Sequence, residues 1–142
     1  MCFFIIYFNN ISFEEGREIN EKYINYLGKN IIPIKNAQDI LKYLYDKQYE
    51  IYIVTNGPYK AVNNKLNKIN AQKYIKYAFT AEESGHMKPN PEFFEKFFTK
   101  INTYKKDDML IIGDELDKDV LGGIKNGIDS CWFNMNNTAN CT

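Results

Sequence analysis

The sequence holds 142 residues with 18 basic and 18 acidic side chains, a formal net charge of zero, and 44% hydrophobic residues. That length predicts one domain with a sizeable core. The charge balance argues against nucleic acid and anionic membrane surfaces as partners. Cys2, Cys131 and Cys141 are odd in number and widely spaced, which fits neither a disulfide framework nor a zinc site and points to a reducing cytoplasm.

The opening run from Cys2 to Phe8 is apolar but too short to span a bilayer, and it lacks the marks of a signal peptide. Helical spacing of Ile19, Tyr23, Tyr26 and Leu27 predicts an amphipathic helix from Ser12 to Leu27, stopped by Gly28. Ile31 to Ile34 reads as a connector. Asn36 is placed to cap a second helix whose apolar side carries Ile40, Leu41, Tyr43 and Leu44. Glu50 to Val54 reads as a buried strand running into Thr55-Asn56-Gly57. A helix from about Tyr59 to Ile69 and a short strand from Tyr77 to Thr80 follow.

Asn90 and Pro91 open another helix, with Phe93, Phe94, Phe97 and Phe98 facing inward. Met109 to Ile112 is the clearest strand. A helix near Val120 to Lys125, a break at Gly127 and a strand from Ser130 to Phe133 complete the pattern, and the tail from Met135 on is polar. Strands alternating with helices predict a parallel α/β sheet with ligands at the carboxyl ends of the strands.

Three places in this pattern carry chemistry. Thr55-Asn56-Gly57 leaves a strand directly, so its hydroxyl and backbone N–H groups suit a phosphoryl oxygen. The plain alternative is an ordinary Asn-Gly turn. Lys88 precedes Pro89, which fixes its backbone, and a fixed ammonium offsets the repulsion between a phosphate and a carboxylate. Most lysines here read instead as solvated surface charges, and His86 reads as a loop residue. Asp114 ends a strand after Gly113 and Asp119 lies about one helical turn on, so both suit a hard cation. Helix capping is the alternative, and Glu115 and Asp117 are left to it.

In this order, Val54-Thr55-Asn56-Gly57, Lys88-Pro89 and Gly113-Asp114 to Asp119 resemble the second, third and fourth motifs of the haloacid dehalogenase (HAD) superfamily of Mg²⁺-dependent phosphohydrolases. Ile53 to Gly57, Lys88 to Phe94 and Gly122 to Asn134 resemble its pyrimidine 5'-nucleotidase-like (YjjG-type) branch. The resemblance implies a Rossmann-like α/β sheet, with residues 1–30 a remnant of a helical cap, 31–134 the α/β core and 135–142 a frayed tail. It implies that Thr55, Asn56, Gly57 and Lys88 bind phosphate, that Lys88 also neutralises charge during catalysis, and that Asp114 and Asp119 hold Mg²⁺. The substrate class is a small phosphorylated, nucleotide-like molecule.

The family's first motif, Asp-x-Asp, supplies the nucleophile from the central strand. Here the first aspartate is Asp39, inside a predicted helix. If Cys2 to Phe8 stands in for that strand, Asn9 and Ile11 occupy the catalytic positions and neither can do the chemistry. The sequence thus reads as an N-terminally truncated enzyme, retaining motifs two to four, inactive alone and holding Mg²⁺ weakly. Without a central strand, two strand edges are left open, at roughly 1–3 kcal/mol per unsatisfied buried group. Cys2 to Phe8 is a candidate to fill the slot. The alternatives are a non-catalytic phosphate- or nucleotide-binding module, a half-enzyme completed in trans, and a phosphoglycolate-type phosphatase.

Overall fold

A computed structural model describes residues 11–29, 31–102 and 105–135 of the chain. These form two compact units. One comprises the described residues up to Tyr49 together with Lys60–Tyr74, and the other comprises Glu50–Tyr59 with the described residues from Ile75 on. The run from Cys2 to Phe8, Asn9, Cys2 and Cys141, and the tail beyond Met135 lie outside the described residues.

The first unit opens with helix α1, Phe13–Lys29. Ser12 and Glu15 cap it reciprocally. The Ser12 hydroxyl accepts the Glu15 N–H at 3.2 Å, and the Glu15 carboxylate accepts the Ser12 N–H at 2.8 Å. Two N-terminal amides are satisfied in this way. Gly28 does not stop the helix, which runs one residue past it. Helix α2, Ala37–Asp46, begins after Asn36, but Asn36 makes no side-chain cap. Its φ of 64° is left-handed, whereas a capping side chain reaches the first-turn amides from extended backbone. Only part of the expected apolar side is covered: Leu41 and Leu44 are half-buried, while Ile40 and Tyr43 are exposed. Tyr45 meets Tyr74 edge-on with ring centroids 5.5 Å apart.

In the second unit, β1, Ile51–Thr55, lies parallel to β2, Ile75–Thr80, with Thr55 opposite Thr80 at the carboxyl ends. Between β1 and β2 in the chain comes helix α3, Tyr59–Lys68, which from Lys60 on belongs to the first unit, and a single turn, α4, Ala81–Ser84, follows β2. Helix α5 is Pro91–Ile101. Strand β3, Leu110–Gly113, lies parallel to β4, Asp129–Trp132. Between them in the chain come a π-turn, Leu116–Val120, and the short helix α6, Leu121–Lys125. This is the parallel α/β arrangement that alternating strands and helices imply. The four strands form two separate pairs, β1–β2 and β3–β4, with no described strand joining them.

Phenylalanines build the core. Asn90 caps α5 by accepting the Glu92 N–H at 3.0 Å, and Pro91 occupies its first turn. That start turns Phe93, Phe94 and Phe97 inward, where they pack with Phe79, Ile111 and Ile128. Phe79 meets Phe93 edge-on at 5.2 Å between centroids, a geometry that adds to simple burial. Phe98 is only partly covered.

Two strands are less buried than their apolar sequences predict. All five residues of β1 are half-buried rather than enclosed. In β3 only Ile111 is buried, while Leu110 and Ile112 are each 59% exposed. A continuous apolar run suits a strand covered on both faces, and here one face of β3 is covered. On that face α6 packs tightly: a Cβ at Gly123 would stand 2.4 Å from Ser130 Oγ and 2.5 Å from Ile111 Cγ2.

Candidate active site at the carboxyl ends of β1 and β3

The site is assembled within the second unit, from the ends of β1 and β3 and the loop before α5. Past Thr55 the chain turns sharply, because the Thr55 Oγ1 accepts the Gly57 N–H at 3.0 Å. A hydroxyl that accepts in this way keeps its own proton to donate outward. Asn56, between them, points its amide at a residue 32 positions away. Its Oδ1 accepts the Lys88 N–H at 2.7 Å, and its Nδ2 donates to the Lys88 carbonyl at 3.0 Å.

Lys88 is not a surface lysine: its side chain is only 9% exposed. The peptide bond to Pro89 is cis. The Nζ donates to the Val54 carbonyl at the end of β1, at 2.8 Å, and to Asp119 Oδ1 at 2.5 Å. Two of its three ammonium protons are thus engaged within the protein.

Asp119 is equally enclosed. Its other oxygen, Oδ2, accepts the Glu115 N–H at 3.2 Å, and its own N–H donates to the Glu115 carbonyl at 2.8 Å. The π-turn bends the chain back over the end of β3, and Gly113 makes room for it. A Cβ at position 113 would lie 2.3 Å from both Asp119 Cβ and Asp119 Oδ2. That close approach is why only glycine fits there.

Asp114, the next residue, is exposed, and its backbone carbonyl accepts the Trp132 indole N–H at 3.1 Å. Glu115 and Asp117 are exposed as well. Glu115 pairs with Lys118 and raises the Lys118 ammonium above its ordinary value, with smaller contributions from Asp119 and Asp114. Among the described residues no three histidine, cysteine, aspartate or glutamate side chains gather around a common point that could hold a metal ion. Asp119 already serves Lys88 and a backbone amide. Asp114 and Asp119 therefore do not complete a Mg²⁺ shell by themselves.

The loop that delivers Lys88 is anchored by a residue the sequence did not single out. Ser84 is buried; its hydroxyl donates to the His86 carbonyl at 2.6 Å and accepts the His86 N–H at 3.0 Å. Lys96, from α5, donates to the Ser84 carbonyl at 2.6 Å. His86 serves as a loop residue in these contacts, through its backbone.

The sequence pattern of the haloacid dehalogenase-like hydrolases matches residues 5–133, a span that includes Thr55, Lys88 and Asp119. The chain belongs to this family. Among curated HAD relatives it is 33% identical over 120 residues to YfnB of Bacillus subtilis (strain 168), covering 84% of this chain and 51% of YfnB. It is 30% identical over 129 residues to the pyrimidine 5'-nucleotidase PynA of Streptococcus pneumoniae, covering 91% of this chain and 54% of PynA. The pyrimidine 5'-nucleotidase YjjG of Escherichia coli is 28% identical over 120 residues, covering 84% of this chain and 53% of YjjG. The chain spans about half the length of the curated relatives it matches. A crystal structure of YfnB bound to magnesium superimposes with a TM-score of 0.80 at 32% identity, over 87% of this chain and 55% of that one. The α/β HAD fold is thereby established. No helix among the described residues is long and apolar enough to cross a membrane.

The buried pair carries a stability prediction. Removing one partner of a buried ion pair strands the other, at a cost of about 3–5 kcal/mol. Lys88→Met should lower the denaturation free energy by roughly that amount, and adding Asp119→Leu should recover much of the loss. Urea unfolding of both single variants and the double variant measures it, and strictly additive losses would contradict the pairing.

Proposed function

We propose that this chain is the phosphate-recognition part of a HAD phosphohydrolase that acts on a small phosphorylated molecule of the nucleoside monophosphate class, and that the chain by itself binds phosphate without turning it over. The observation that carries the proposal is the buried ammonium of Lys88, fixed between the end of β1 and Asp119, with two of its protons engaged among the described residues and the third left for a ligand. The ammonium donates that proton in a hydrogen bond to a phosphoryl oxygen, and the Thr55 hydroxyl donates a second hydrogen bond beside it. The backbone at Asn56 and Gly57 shapes the loop around the anion, which displaces no existing contact of Lys88. The nucleotide class is supported by the two pyrimidine 5'-nucleotidases among the relatives.

The disposition of the carboxylates supports the absence of turnover. Hydrolysis through a covalent phosphoenzyme needs a carboxylate within reach of the phosphorus. The sequence has no aspartate before Asp39, which lies in α2. Asp119 is held by Lys88 and Glu115. Among the described residues no strand joins β1 to β3, which favours a second reading, in which a separate polypeptide supplies a strand there together with the nucleophile.

An aryl phosphate assay with Mg²⁺, run beside Lys88→Ala, tests the proposal. No turnover by the chain alone is the expected result; turnover abolished by Lys88→Ala would show that another residue attacks. Activity that emerges only on mixing with such a polypeptide would select the second reading. With Asp114 and Asp119 as the carboxylates that the described residues offer for this role, Mg²⁺ should bind no tighter than about millimolar. Isothermal calorimetry checks this, and a micromolar site would contradict the ligand assignment.

A further inference from the structure

The side-chain contacts of Lys88 fix where its ammonium ends, but a four-carbon stem can reach Val54 and Asp119 from several backbone positions. Where the stem starts is set by Asn56. Its Oδ1 and Nδ2 take the N–H and the C=O of Lys88 at 2.7 and 3.0 Å. This is the two-point exchange that a neighbouring strand residue makes with its partner. It fixes both the distance and the rotation of residue 88 against the end of β1. Only a side chain presenting a donor and an acceptor side by side can do this, and at this length that means asparagine. An aspartate keeps the acceptor and loses the donor. Alanine loses both.

Asn56 also follows Thr55 directly, and the Thr55 hydroxyl is itself fixed by the Gly57 N–H at 3.0 Å. One short loop therefore sets the register of both groups that face the anion. With its amide committed to Lys88, Asn56 has its polar side-chain atoms turned away from the role of a phosphate ligand.

We infer that Asn56 is a positioning residue: its side-chain amide holds Lys88 so that the ammonium and the Thr55 hydroxyl meet the same phosphoryl group. The inference rests on Lys88 and Thr55 being the phosphate donors, but the clamp itself can be tested without phosphate. In wild-type protein, acetylation of Lys88 by an N-hydroxysuccinimide ester, followed lysine by lysine with mass spectrometry, should be far slower than that of exposed Lys22 and Lys125. Asn56→Ala should accelerate Lys88 alone by about tenfold, the scale expected for losing two hydrogen bonds. An unchanged Lys88 rate would overturn the clamp.

Should Asn56→Ala expose every lysine by unfolding, Asn56→Asp decides. Acceleration confined to Lys88 supports the clamp, and none overturns it. The same proteins are then titrated with inorganic phosphate by NMR. Weaker binding in Asn56→Ala than in wild type, in parallel with the acetylation rates, supports the whole inference. A selective rise in Lys88 reactivity with no phosphate binding by wild type would keep the clamp and reject the phosphate reading.

Discussion

An ammonium enclosed by protein needs partners for its charge and its protons, and around Lys88 that requirement organises the ends of two strands. Its side chain, 9% exposed, donates to the last internal carbonyl of β1 and to the carboxylate of Asp119 beyond β3. Leaving either group unmet in this environment would be costly. Satisfying both ties the β1–β2 pair to the β3–β4 pair at their carboxyl ends, where no described strand lies between them. Position 113 then has to be glycine, because Asp119 reaches Lys88 only by lying against the backbone there.

The same constraint explains why the chemistry sits where it does. Parallel strands place their carboxyl ends at one rim of a sheet, and loops leaving that rim converge on a common crevice. Thr55 arrives with β1, Asp114 and Asp119 with β3, and Lys88 on the loop after β2 and α4. The phenylalanine core beneath them, Phe79, Phe93, Phe94 and Phe97, fixes the base of that loop through α5. Ser84 and Lys96 brace its other side.

Much of this was legible in the sequence, because it depends on local signals. Asn90-Pro91 marks a helix start wherever it occurs, and the Phe93, Phe94 and Phe97 spacing predicts the buried face that α5 shows. The order of strand-end threonine, lysine before proline and Gly-Asp picked out residues that the structure places at the ends of β1 and β3 and on the loop before α5. What stayed hidden depends on contacts far apart in the chain. Nothing near Asn56 reveals that its amide is committed to a residue 32 positions on, and an Asn-Gly pair looks the same in any turn. The half-covered faces of β1 and β3 were also unreadable, since an apolar run reports what a strand can bury and not what packs against it. Asn36 and Gly28 misled for a related reason: residue type sets which backbone angles are cheap, and tertiary packing chooses among them.

The central claim is that Lys88 keeps one proton for an anion while its other two are held inside the protein. The most direct measurement is the ammonium ¹⁵N–¹H resonance of Lys88, assigned by its loss in Lys88→Met, followed while inorganic phosphate is added. The account predicts a resonance protected from rapid exchange, unlike those of the exposed lysines, that moves saturably with phosphate. A Lys88 ammonium that exchanges as fast as the surface lysines, or one that phosphate leaves unmoved, would contradict it.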